Sequence, residues 1–205
     1  LKMKMQLILS MLFMLLIAGS QFIAGALAET SIKVTGTEGP INVLYGNGAG
    51  SSLTSGGENT FIGIDAGNKN KDGYRNTFVG KNAGKENISG YDNAFVGMNA
   101  GHQNTSGHMN TFLGRASGYA NTNGSFNTFI GYGAGNKNEG GGSNTFVGHT
   151  TGWNNTSGWG NTSVGWAAGS GNKDGGENTL IGACAGVNIN GGEENTLIGY
   201  YSGHD

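Results

Sequence analysis

From Asn42 onward, polar and apolar residues alternate in a short block that returns every 17 residues. The block reads Asn-Thr-Phe-aliphatic-Gly. Its Asn stands at Asn42, Asn59, Asn76, Asn93, Asn110, Asn127, Asn144, Asn161, Asn178 and Asn195, with no insertion or deletion. With this Asn as position 1, Gly recurs at positions 5 and 9 in all ten copies, and at position 15 in the nine copies long enough to reach it. Position 8 is always small: Ala in seven copies, Ser or Thr in the others. Glycines at fixed offsets mark corners, where the backbone needs positive φ or a close approach. The segments between them are too short for helices and long enough for short strands. Self-similarity at a fixed period means a stacked architecture. The pattern therefore predicts an all-β protein, a parallel β-solenoid with one coil per repeat. At a strand spacing of about 4.8 Å, its ten coils make a rod roughly 45 Å long.

Two apolar columns are adjacent. Position 3 carries Leu44, Phe61, Phe78, Phe95, Phe112, Phe129, Phe146, Ser163, Leu180 and Leu197; position 4 carries Tyr45, Ile62, Val79, Val96, Leu113, Ile130, Val147, Val164, Ile181 and Ile198. Neighbours on a strand point to opposite faces, so one column fills the coil and the other points outward. Exposing a full column of large side chains forgoes about 1.5–3 kcal/mol for each. Other copies of the chain around a shared axis are the expected cover. Phe61, Phe78, Phe95, Phe112, Phe129, Phe146, Leu180 and Leu197 are the candidate interface residues. A bulge at the corner glycine that turns both columns inward is the alternative.

Two Asn columns read as stacked amide ladders, one at position 1 and one at position 12 from Asn70 to Asn172. Thr60, Thr77, Thr111, Thr128, Thr145, Thr162, Thr179 and Thr196 form a Thr column on the face of position 4. If that face is inward, the threonines merely pack. If it is outward, a regular Thr/aliphatic surface results, similar to the Thr arrays of ice-binding solenoids.

Residues 1–28 follow a different pattern. Lys2 and Lys4 precede an apolar run, and Ala26-Leu27-Ala28 is an A-x-A cleavage pattern, so the segment reads as a secretory signal peptide. An uncleaved anchor is the alternative. No second apolar run follows, so no membrane span is expected after its removal. Residues 29–41 are expected to form an extended segment or cap, and 42–205 the repeat domain. The repeat breaks off at Asp205 in mid-coil with no obvious cap, so the expectation is either a fragment of a longer chain or an end covered by a partner.

The chain has 205 residues, of which 42 are Gly and one is Pro; 12% are charged, and the net charge is -2. No basic excess points to nucleic acid. The lone Cys184 excludes an intrachain disulfide. The four His fall at variable positions with no metal-ligand spacing, and no nucleophile–base set is present, so neither an enzyme, a metal site nor a cofactor is expected. The variable positions carry aromatic and imidazole groups at the corners: Tyr74, Tyr91, His102, His108, Tyr119, Tyr132, His149, Trp153, Trp159 and Trp166. Such groups on a rigid frame suit sugar stacking or anchoring of a protein partner, and these ten are the candidate ligand-binding residues. The structural alternative is that they shield corners or clasp neighbouring coils.

The run Asn-Thr-Phe-Ile-Gly followed by Ala-Gly, Asn59 to Gly67, resembles the repeats of trimeric autotransporter adhesin heads of the YadA-like type. It is also similar to the N-T-x-x-G repeats of phage and viral tail fibres. The resemblance covers residues 42–205. It implies a left-handed parallel β-roll, packing as a homotrimer, and binding of host or matrix ligands. The departures are a longer repeat than in the best-known heads, and no heptad stalk or anchor barrel within this sequence. The expected function is a secreted or cell-surface fibrous adhesin-like protein that binds an extracellular protein or glycan through its corners. A structural spacer of a tail fibre or surface filament is the alternative.

Overall fold

The computed structural model describes Lys33–Thr35 and residues 41–204; the leader assigned to residues 1–28 lies outside the described residues. The described chain is all β. Strand β1 (Lys33–Thr35) pairs antiparallel with β2 (Asn42–Tyr45). From β2 onward the strands are parallel, and each one after β2 is a three-residue segment at positions 2–4, through β3 (Thr60–Ile62), β6 (Thr111–Leu113) and β7 (Thr128–Ile130) to β11 (Thr196–Ile198). Register is strict: Phe61 pairs with Phe78, Phe112 with Phe129, and Leu180 with Leu197. Nine complete coils and the start of a tenth make a β-solenoid.

The sheet is only one side of each coil. The rest is a series of turns, and these too are bonded coil to coil. The amide of Gly67 donates to Ala83 O at 2.9 Å, that of Lys69 to Lys85 O at 2.9 Å, and that of Arg75 back to Gly57 O at 3.0 Å. Backbone groups thus find partners around the circumference without regular strands.

The interior apolar column supplies one large residue per coil, except where Ser163 stands. Phe61 to Phe129 are fully buried and Phe146 is nearly so, with neighbouring ring centroids 4.7–4.9 Å apart and planes within 5–8° of parallel. The small residue at position 8 and the Gly at position 9 make room for the ring. A Cβ on Gly67 would lie 2.5 Å from Phe61 Cε2, and its φ of 56° is left-handed. Gly73 at position 15 has a different reason: a Cβ there would collide with Gly90 O of the next coil.

Both Asn columns are buried ladders. Asn93 shows the pattern at position 1: its amide N–H and Nδ2 both donate to Asn76 Oδ1, at 3.0 and 3.1 Å, and Nδ2 also reaches Gly107 O at 2.9 Å. At position 12, Asn121 Nδ2 donates to Asn104 Oδ1 at 2.7 Å and to Gly124 O at 3.0 Å. Each position-15 carbonyl from Gly73 to Gly175 thereby receives one amide from each ladder, so polar side chains fill the core with nearly all their hydrogen bonds made. Leu53 and Ile189 take position 12 where the ladder ends. The ladder breaks one coil early. Asn172 bonds to Gly175 instead, through N–H···Oδ1 at 3.1 Å and Nδ2···O at 2.9 Å, leaving Asn155 Oδ1 without a partner. Ser163 interrupts the Phe column in the same coil.

Alternation along the strand therefore holds, and no bulge turns position 4 inward. It also corrects the expected interface. Phe61, Phe78, Phe95, Phe112, Phe129, Phe146 and Leu180 cannot meet another copy, because they are sealed inside their own coils; Leu197, in the last coil, is half-buried. The larger ring goes inward because only the position-9 glycine side has room for it. The columns left outward are Thr at position 2 and the aliphatics at position 4.

Candidate functional site

Exposed large apolar side chains concentrate on one side of the rod. Every exposed large hydrophobic except Ile88 falls on the arc that runs from position 16 through the strand to position 7 of the next coil. Positions 10–15 carry the opposite, polar side, with Lys69, Lys137, Glu139, Lys173 and Asp174 among its residues. The candidate site is this sheet side, a strip of strands with a shoulder on each edge.

The first shoulder is formed by positions 16 and 17. Tyr74 stacks on Tyr91 at 4.9 Å and Tyr91 on His108 at 4.6 Å, while Phe126 meets His108 edge-on at 5.3 Å. The coil spacing alone stacks such rings when they recur at one position. Stacking hides most of their faces, so Tyr91 and His108 present edges rather than platforms. Arg75 lies 4.7 Å from the Tyr74 ring centre and forks onto Asp92 at 2.7 and 2.8 Å, which raises its already high pKa. Nearby, hydrogen bonds from Ser55 and Thr54 hold Asp72 below its ordinary carboxylate pKa. Trp159 is different. It is 56% exposed and stands against Gly176, whose missing side chain makes room for the indole. Trp159 and Gly176 line a cleft of about 160 Å³ with Glu177, Glu193 and Glu194.

The second shoulder is position 6. Tyr132 stacks on His149 at 5.0 Å, Arg115 sits 5.7 Å from the Tyr132 ring centre, and Trp166 is 55% exposed. The position-5 glycines, such as Gly131 with φ 131°, turn the chain at this edge.

Three predicted ligand residues lie elsewhere. His102, Tyr119 and Trp153 are at position 10 and half-buried. Side chains there fold over position 7 of the preceding coil: Trp153 against Gly133, Lys85 onto Asp65 at 3.1 Å, Asn136 onto Ala116 O at 3.2 Å. They clasp coils together. His102 stacks on Tyr119 at 5.0 Å, and burial pushes its pKa below 6.5. The structure thus brings Tyr74, Tyr91, His108 and Trp159 to one shoulder and Tyr132, His149 and Trp166 to the other. Met109 and Phe126, both exposed at position 17, join the first shoulder without a sequence signal, because that position varies freely.

Among the described residues, no cluster of His, Cys, Asp and Glu could hold a metal ion, and no helix is long and apolar enough to cross a membrane. Cys184 is buried at position 7 with φ 57°. No protein-family model matches the chain, and no curated protein or solved structure matches it significantly.

Proposed function

We propose that the chain is an extracellular or cell-surface fibrous binding protein, adhesin-like, that takes a protein or glycan partner along the shoulders of its sheet side. The observation that carries this reading is the one-sided exposure of large apolar side chains along the whole rod. A soluble monomer seldom leaves a patch above a few hundred Å² uncovered without a use for it. Trp159 and Trp166 are the anchors best suited to a partner, since both are more than half exposed and neither is stacked on a neighbouring ring. If copies associate as the homotrimer implied by the adhesin resemblance, the aliphatic column, and not the Phe column, is what they bury.

Binding of the full chain to arrayed glycans and matrix proteins tests the reading. Trp159→Ala and Trp166→Ala should each weaken binding, and Trp153→Ala should not. A signal unchanged by both shoulder variants would remove the shoulders as the site.

A further inference from the structure

Between the shoulders lies a strip that a shoulder-bound ligand does not use. It consists of position 2 (Val43, Ala94 and the eight column threonines) and position 4. Four properties of the strip set it apart. It contains no charged residue over ten coils. Its side chains are all at least partly exposed. Its threonine hydroxyls make no hydrogen bond to another described residue, whereas the position-13 hydroxyls of Thr54, Thr105, Thr122 and Thr156 all donate to a carbonyl of the next coil. Finally, its side chains repeat in strict register from coil to coil: Thr60 on Thr77, Thr111 on Thr128 and Thr128 on Thr145.

We propose that this strip binds the surface of ice. Thr is stiff at χ1, so each hydroxyl and methyl is held in one orientation relative to its strand. The ladders and the Phe stack beneath lock the repeat at 4.7–4.9 Å. Free hydroxyls thus alternate with methyl rows on a rigid, uncharged, regularly spaced plane. Such a plane can hold water in a fixed lattice, whereas charged groups would impose their own hydration. The periodicity points the same way. A macromolecule docked on the strip finds the same contacts one coil further on and has no register, while a crystal lattice shares that repetition. The area also disfavours a second copy as occupant. A strip about 45 Å long and about 10 Å wide offers roughly 450 Å², near half of the ~800 Å² per partner of a stable protein interface.

The inference does not rest on the shoulder reading, and its test is separate. The full chain is frozen slowly from dilute solution, its partition into the ice is measured, and thermal hysteresis and crystal shape are recorded. Thr128→Lys and Thr145→Lys change the strip at outward, half-buried positions, and Asn123→Lys places the same charge on the polar side; circular dichroism confirms the fold of each. Wild type and Asn123→Lys should enter the ice and shape crystals, and both strip variants should lose this. Exclusion of the wild type from ice, or enrichment that survives both strip variants, would overturn the proposal. So would an oligomer in which the strip is buried between copies. Trp159→Ala should leave ice adsorption intact, so failure of ligand binding and failure of ice binding are read independently.

Discussion

The indole of Trp153 packs against Gly133, one coil earlier, where any Cβ would collide with its ring. Other coils carry Asp65, Asn82, Asn99, Ala116 or Thr150 at that position, all with left-handed φ between 53° and 61°. Gly133 shares the conformation, with φ 62°, and leaves out the side chain that the indole would strike. Gly133→Ala should therefore destabilise the chain by about 1–3 kcal/mol through overpacking. In a Trp153→Ser background the same change should cost much less. A double-mutant cycle in urea measures the coupling, and additive effects would show that the two residues do not interact.

Neighbours on one strand should respond in opposite ways to truncation. Phe112 is fully buried and Leu113 is 46% exposed. Phe112→Ala should cost about 3–5 kcal/mol. Leu113→Ala should cost under about 1 kcal/mol in a single rod. Chemical denaturation of the two variants checks the difference.

The position-12 ladder should be sensitive in its middle. Asn121 supplies the partner of Asn104 Oδ1 at 2.7 Å and accepts from Asn138 Nδ2 at 2.8 Å. Asn121→Leu leaves Asn104 Oδ1 buried and unpaired, for a loss of about 1–3 kcal/mol. Thermal melting should register this although Leu53 occupies the same position at the ladder's end.

His102 should make stability fall in mild acid. Burial lowers its pKa below 6.5, its Nδ1 has no partner, and the charges around it are Glu86, Lys85 and Lys69, with Glu86 opposing the shift. Below 6.5 the unfolded chain binds more protons than the folded one, so stability drops as pH falls from there toward the folded pKa. His102→Gln should flatten this part of the profile, measured as the urea midpoint between pH values on either side of that window.

Much of the fold was legible because the frame residues answer to strict geometry. Asn at position 1 must ladder, and Gly at position 15 must admit the next coil's carbonyl, so both recur without exception in the complete coils. The facing of positions 3 and 4 was not legible from alternation, which is symmetric between two apolar columns. The clue lay further along: the Gly that follows Phe61 by six residues leaves the space its ring fills. The shoulders were legible only as a collection. Position 7 turns left-handed even at Ala116 and Thr150, residues that carry no such signature, and that bend separates the clasps at position 10 from the exposed rings at position 6. Ring stacking follows from the 17-residue spacing, but the loss of accessible faces at Tyr91 and His108 depends on how the side chains settle against each other in space.

The facing of one strand underlies both the binding side and the core, and thiol labelling reads it directly. In a Cys184→Ser background, Thr128→Cys, Phe129→Cys and Ile130→Cys are each exposed to a maleimide under native conditions. Cysteines at 128 and 130 should label rapidly, and the one at 129 only after denaturant is added. Rapid native labelling at 129, with protection at 128 and 130, would contradict the inward Phe column and the outward Thr/aliphatic face.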